Sequence, residues 1–215
     1  MAVDSLLRVF VDDWWLTRRL ARYSAAIGLS PNSISCLSLF FAALAGLLFF
    51  LSGQSQQNSF NLILLLAGIS VCVNAILDAL DGILAREVGN ASKKGDFLDH
   101  VIDRYADMFI ICGIIFGGYV SYGIGMIAVI GMLFSSYMGT QAQAVGLTRI
   151  YGGLLGRADR LIIIIVTTFL TLAYPYPLPV SGLPSHSFLG WTVFFFALFC
   201  NVTALQRFFY AWKRI

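Results

Sequence analysis

Residues 71–110 read VCVNAILDALDGILAREVGNASKKGDFLDHVIDRYADMFI. Both flanks of this stretch are strongly apolar, yet Asp78, Asp81, Glu87, Asp96, Asp99, Asp103 and Asp107 fall inside it, seven of the chain's eleven acids. An ionised group at membrane depth costs about 2.5–3.5 kcal/mol on insertion scales, so such groups mark ion paths, proton relays or catalytic sites. The spacing is more telling than the count. From Asp78 to Asp103 the run is D-x2-D-G-x2-A-R-x8-G-x3-D-x3-D.

The surrounding chain sets the solvent. Of its 215 residues, 59% are hydrophobic and 12% charged, and the mean hydropathy is +0.82. A soluble domain carries roughly twice that charge fraction. The composition therefore predicts an integral membrane protein, all-α, with residues 1–215 forming a single membrane domain. A net charge of +3 with no basic face argues against a nucleic-acid partner. Cys36, Cys72, Cys112 and Cys200 lie in apolar stretches and read as small hydrophobes, not as a disulfide or zinc framework. Residues 1–30 lack the short apolar core and cleavage site of a signal peptide. They read as an amphipathic interfacial helix, with Trp14 and Trp15 at headgroup level and Arg18, Arg19 and Arg22 toward anionic lipid. An ordinary juxtamembrane helix fits them equally.

A transmembrane helix needs about 20 apolar residues. Six candidate spans meet or approach this, at 32–52, 60–82, 96–118, 122–145, 160–175 and 187–210. The third qualifies only if its acids are set aside. Pro175, Pro177, Pro179 and Pro184 predict loop after the fifth. The connections GQSQQNS, GGYVSYG and PYPLPVSGLPSHS contain no Lys or Arg; all fourteen basic residues lie toward the other ends of the spans. Cytoplasmic loops collect Lys and Arg, so both termini and the acidic cluster are expected on the cytoplasmic side of the cell membrane. Glycines at 113, 117, 118, 123, 125, 131 and 139 predict close helix contacts, within one chain or across a dimer face.

Asp78 and Asp81 are three apart, and Asp99 and Asp103 four apart, spacings that place each pair on one helix face. Two adjacent helices then aim four carboxylates into one pocket. Unpaired, such charges repel and take up protons. A hard divalent cation removes the conflict, because no Cys and only one His stand nearby. Four carboxylates suffice for two metals, the arrangement that clamps attacking and leaving oxygens in phosphoryl transfer. A salt-bridged structural cluster using Arg86 and Arg104 is the alternative. Gly82 and Gly95 let backbone approach a ligand, and Arg86 offers a planar fork to a phosphate. Ser92, in a polar loop, is placed to reach a base or ribose. Asp96 reads as a helix-start acid, and Asp107 as a partner for a basic residue. His100 is turned about 100° from Asp99 and so off the Asp99–Asp103 face. His186, in the opposite loop, reads as solvated.

The full run resembles the signature of the CDP-alcohol phosphotransferases, membrane enzymes of phospholipid synthesis, and every signature position is filled. The resemblance implies a helical, commonly homodimeric membrane enzyme that moves a lipid phosphate from a CDP-linked lipid alcohol to an acceptor alcohol and releases CMP. It implies metal ligation by Asp78, Asp81, Asp99 and Asp103, with two Mg2+ or Mn2+ ions, and Asp103 as catalytic base. It also implies that Asp78, Gly82, Arg86 and Ser92 meet the CDP moiety, with Ala85 and Gly95 of the signature in the same nucleotide site. The stretch LSPNSIS (Leu29–Ser35) is similar to a second family element and adds Asn32 and Ser35; read alone it is a turn and helix cap.

Between spans four and five, QAQAVGLTRIYGGLLGRADRL brings Arg149, Arg157 and Arg160 toward the acidic pocket. Three arginines suit an acceptor with its own phosphate, which Arg binds bidentately. GRADRL resembles the branch that joins inositol 1-phosphate to CDP-diacylglycerol or CDP-archaeol. Glycerol 3-phosphate is the next acceptor and serine is less favoured. Gln141 and Gln143 stand where that branch commonly has a basic residue, and the arginines also satisfy the positive-inside pattern. Two rival functions share the acids. An intramembrane prenyltransferase uses Asp pairs, but Asp-Gly, Ala-Arg and Gly95 are then unexplained. A divalent-cation transporter needs polar residues through the whole membrane depth, whereas FIICGIIF and its like are apolar.

Overall fold

The computed structural model describes residues 28–54, 61–87, 92–180 and 182–215, with Arg19 and Tyr23. Among the described residues six long helices form the body: α1 (Pro31–Gly53), α2 (Leu62–Glu87), α3 (Lys93–Phe116), α4 (Tyr122–Ala144), α5 (Arg157–Ala173) and α6 (Phe188–Trp212). Apart from Arg19 and Tyr23, both helical, the interfacial helix expected over residues 1–30 lies outside the described residues up to Ile27. Among the described residues, α1, α2 over Leu62–Ala85, α4 and α6 are long and apolar enough to cross a membrane. At 1.5 Å per residue the 23 residues of α1 reach about 34 Å, which matches a hydrocarbon core of about 30 Å. The other two helices fall short of those criteria for separate reasons: α3 carries the acids, and α5 has 17 residues.

Local sequence starts the helices. Ser30 caps α1, its Oγ accepting from Ser33 N at 3.2 Å, with Pro31 at the first helical position. Ser92 caps α3 by accepting from Gly95 N at 3.1 Å, and Ser187 caps α6 by accepting from Gly190 N at 3.2 Å. At α5 the third residue, Asp159, accepts from Gly156 N at 2.8 Å and places an acid in the first turn, where the helix dipole favours it. Helix α2 extends past the apolar run to Glu87, so the Asp78–Arg86 segment is helical throughout.

Helix α1 packs on α2 and α3, α4 on α6, and α5 joins the two groups through α2 and α6. Phe49, Ile110, Ile114, Met132, Ile164 and Phe196 form the centre of the core. Deep between α1 and α2, Asn74 Nδ2 donates to Ser38 Oγ at 2.8 Å and to Ser38 O at 3.0 Å. Such bonds hold helices together in lipid, where apolar contact alone gives little preference.

Backbone proximity decides the α1–α3 contact. A Cβ on Gly46 would collide with the Phe109 carbonyl, and one on Gly113 with the Gly46 carbonyl. The glycine contacts expected at 113, 117, 125, 131 and 139 are therefore within the chain, while Gly118 and Gly123 have open space. Gly46→Val is expected to destabilise by at least about 1–3 kcal/mol, as overpacking against backbone does. Thermal unfolding in detergent checks this, with Gly123→Val, at an open position, as control.

The proline-rich segment departs from expectation. In place of a plain loop it forms a short antiparallel hairpin of β1 (Leu178–Val180) and β2 (Leu183–His186), turning at Gly182 with φ +81°. A two-stranded ribbon has only edges, and edge strands tolerate proline, so Pro179 and Pro184 did not preclude it.

Candidate functional site

The aspartates converge at one end of the bundle. Carboxylate oxygens of Asp78 and Asp81 from α2 and of Asp99 from α3 all lie within 4.8 Å of one another. The chain forms this cluster because i,i+3 on α2 and i,i+4 on α3 face each other across the helix pair. Asp81 is 6% exposed and its Oδ2 accepts from Ser35 Oγ at 2.6 Å. Ser35 thus fixes the Asp81 carboxylate. Outer partners of metal ligands are worth about 10–100-fold in metal affinity or activity, so Ser35→Ala is expected to weaken divalent-ion binding by that factor. Calorimetric titration with Mn2+ measures it.

Asp103, one turn beyond Asp99, is 8% exposed. Its Oδ1 lies 2.9 Å from Arg157 Nη1 without the alignment of a hydrogen bond. The same Nη1 donates to Asp78 Oδ2 at 2.5 Å. Arg157, the first residue of α5, is therefore inserted between the acids of α2 and α3. Asp107, one turn deeper at 4% exposure, accepts from Arg160 Nη2 at 2.7 Å and lies 3.4 Å from Arg157 Nε. Arg160 is 2% exposed and also donates to Ser135 Oγ at 3.2 Å. Arg104 adds a looser contact, 3.9 Å from Asp103 and 4.0 Å from Asp107.

The three arginines expected at an acceptor phosphate are thus divided. Arg157 sits among the acids and Arg160 is turned inward to Asp107 and Ser135. Arg149 lies against the His100 ring and 5.0 Å from the Tyr151 ring centroid. His100 itself corrects the helical-wheel expectation. One of its ring nitrogens falls within 4.8 Å of carboxylate oxygens of Asp99 and Asp103, because the side chain leans back over the preceding turn, 3.6 Å from Asp96 and 3.8 Å from Asp99.

The expected nucleotide residues gather beside the acids. A Cβ built on Gly95 would meet Ser92 Oγ at 3.3 Å and Asn32 Oδ1 at 3.6 Å, so the starts of α1 and α3 adjoin there. Gly82 faces open space and Ala85 is half-buried. The Arg86 backbone is helical, and its side chain lies outside the described residues.

Two positioning groups stand outside the expected site residues. Asp107, expected to partner a basic residue, pairs with Arg160. Arg207 on α6 is the other: its guanidinium donates to Ser135 O at 2.5 Å, Gly152 O at 2.8 Å and Tyr151 O at 3.2 Å. It pins the 149–156 segment that carries Arg149 and leads into Arg157.

An all-oxygen donor set with three ligand atoms this close fits a hard divalent cation, Mg2+, Mn2+ or Ca2+. A family model described as CDP-alcohol phosphatidyltransferase matches residues 28–203. The archaetidylinositol phosphate synthase of Pyrococcus horikoshii is 36% identical over 150 residues, 70% of this chain and 74% of that protein. The crystal structure of Mycobacterium tuberculosis phosphatidylinositol phosphate synthase with CDP-DAG bound superimposes with a TM-score of 0.73 at 25% identity, covering 92% of this chain and 94% of the other. The same enzyme in complex with manganese and citrate gives a TM-score of 0.73, with 92% and 89% covered.

Proposed function

This chain belongs to the CDP-alcohol phosphatidyltransferase family, and on that premise we propose that it joins inositol 1-phosphate to a CDP-linked lipid and releases CMP. The lipid is CDP-diacylglycerol or CDP-archaeol. The observation that carries the reading is the facing set of Asp78, Asp81 and Asp99, with Asp103 one turn away. The similar structures with CDP-DAG bound and with manganese support a CDP-lipid and a divalent ion at this set. The prenyltransferase and cation-transporter readings leave the family match unexplained.

Asp78, Asp81, Asp99 and Asp103 would hold the metal, two ions of Mg2+ or Mn2+, which when bound neutralises phosphate charge and favours departure of CMP. Asp103 accepts the proton of the acceptor hydroxyl as its oxygen attacks the β-phosphorus of the CDP-lipid. The new O–P bond forms as the bond to the CMP oxygen breaks, and the lipid keeps its phosphate. Asn32, Ser92 and Gly95 line the nucleotide side, with Gly82, Ala85 and Arg86 along α2. Arg157 and Arg149 lie near Asp99 and suit an acceptor that carries a phosphate. Arg160 holds α5 in place through Asp107. The lipid tails lie between helices, so no tail leaves the bilayer.

In this reading all six helices cross the cell membrane, both termini and the aspartates face the cytoplasm, and the enzyme works as a homodimer. Separate incubations with inositol 1-phosphate, glycerol 3-phosphate, serine and inositol test the acceptor by CMP release. Release with inositol 1-phosphate alone is the expected result. Release with inositol or serine instead would contradict the role given to Arg149 and Arg157.

A further inference from the structure

At the end of the bundle opposite the aspartates lies a second polar feature, a cavity of about 240 Å3 that opens to the surface. Its wall is assembled from distant parts of the chain: Ser52 ends α1, Asn61 precedes α2, Tyr119 follows α3, Thr171 ends α5 and His186 ends β2. These side chains are tied to one another. Ser52 Oγ and the Tyr119 hydroxyl are 2.7 Å apart, and Asn61 Nδ2 donates to Ser52 O at 2.9 Å. His186, expected to be solvated, is instead half-buried, and its Nε2 is buried without a hydrogen-bond partner. Its ring packs edge-on against Trp191, with centroids 5.8 Å apart.

The chemistry of the wall restricts the occupant. The described residues that line it include no Asp, Glu, Lys or Arg. A metal ion would lack carboxylates there, and a phosphate would lack a fixed cation. An apolar guest would leave the wall's hydroxyls and amide facing no polar group. A guest rich in hydroxyls fits, because each hydroxyl both donates and accepts and so can pair with the Ser52 and Tyr119 hydroxyls and the Asn61 amide. The volume is below the roughly 300–1,000 Å3 of sites for drug-sized ligands, which excludes a nucleotide and suits one ring.

We propose that this cavity binds an uncharged polyhydroxyl group, a sugar ring or cyclic polyol, either free or as the headgroup of a lipid. The site is separate from the aspartates and does not depend on the reaction assigned to them.

The test uses the full chain in nanodiscs with two probes. Saturation-transfer NMR with methyl α-glucoside reads binding of a free ring. Thermal stability in nanodiscs containing glucosyl diacylglycerol, against phosphatidylcholine alone, reads binding of a headgroup. Tyr119→Phe removes one oxygen and leaves the ring, and His186→Ala removes the imidazole. CMP release and the melting profile in plain nanodiscs establish that each variant is folded. The expected result is a signal in at least one arm, weakened at least fivefold in Tyr119→Phe. Signal with the glucoside identifies a free polyol, and stabilisation by the glycolipid alone identifies a headgroup. Silence in both arms with folded wild-type protein, or signals that survive both substitutions, would overturn the proposal.

Discussion

Asp103→Asn is expected to lower CMP release by about 10²–10⁴-fold, the usual span for loss of a general base. The substitution keeps the shape of the side chain and removes its charge and its proton affinity. Asp103 is almost fully buried beside Arg157. Asp99 and Asp107 lie one turn to either side of it on α3, Asp99 against Asp78 and Asp81 and Asp107 against Arg160. Loss of one negative charge next to Arg157 also weakens metal binding, which adds to the effect. The melting temperature should change little, because Arg157 keeps Asp78 and Asp107 as partners. Steady-state CMP release together with thermal unfolding separates these effects. A variant that keeps most of its activity would remove Asp103 from the role of base.

Asp107→Ala should act in the opposite way, on the fold first. Asp107 accepts from Arg160 at 2.7 Å with both side chains almost fully buried. Breaking a buried pair by removing one partner costs about 3–5 kcal/mol, because the remaining charge is left uncompensated. Here the stranded group is Arg160, whose contacts with the Ser135 hydroxyl and the Cys200 thiol are to neutral groups. Arg157 loses a partner too, so α5 should loosen against α3 and activity should fall with stability. Replacing both members, Asp107→Leu with Arg160→Met, should recover much of the stability, as exchange of whole buried pairs often does. Thermal unfolding of the single and double variants in detergent measures this. An unchanged melting temperature in Asp107→Ala would show that the pair does not hold the bundle.

The helices were legible because lipid imposes one simple pattern, long apolar runs broken by polar connections. Even α3 could be placed, since FIICGIIF continues the helix beyond its acids. The faces of Asp78, Asp81, Asp99 and Asp103 followed from helical spacing alone. What stayed hidden depends on contacts between residues far apart in the chain. Nothing near Asp107 announces Arg160, and nothing near Arg207 announces the Ser135, Tyr151 and Gly152 carbonyls. The position of His100 depends on the reach of its side chain toward Asp96 and Asp99, which the direction of its Cα alone does not convey. The partner of Gly113 was invisible for the same reason as Asp107: Gly46 belongs to another helix, and only assembly brings the two backbones together. The burial of His186 likewise depends on a residue of another element, the Trp191 ring packed edge-on against it.

The aspartates of α2 and α3 are proposed to form a divalent-metal site for phosphate transfer from a CDP-lipid. This is tested most directly by following CMP release from CDP-diacylglycerol and from CDP-archaeol, with inositol 1-phosphate, after exhaustive chelation and then after adding back Mg2+ or Mn2+. The account predicts no release without the metal, recovery on its return, and no recovery in Asp78→Asn or Asp99→Asn. Release that persists in chelator, or is restored by metal in those variants as in the wild type, would contradict it.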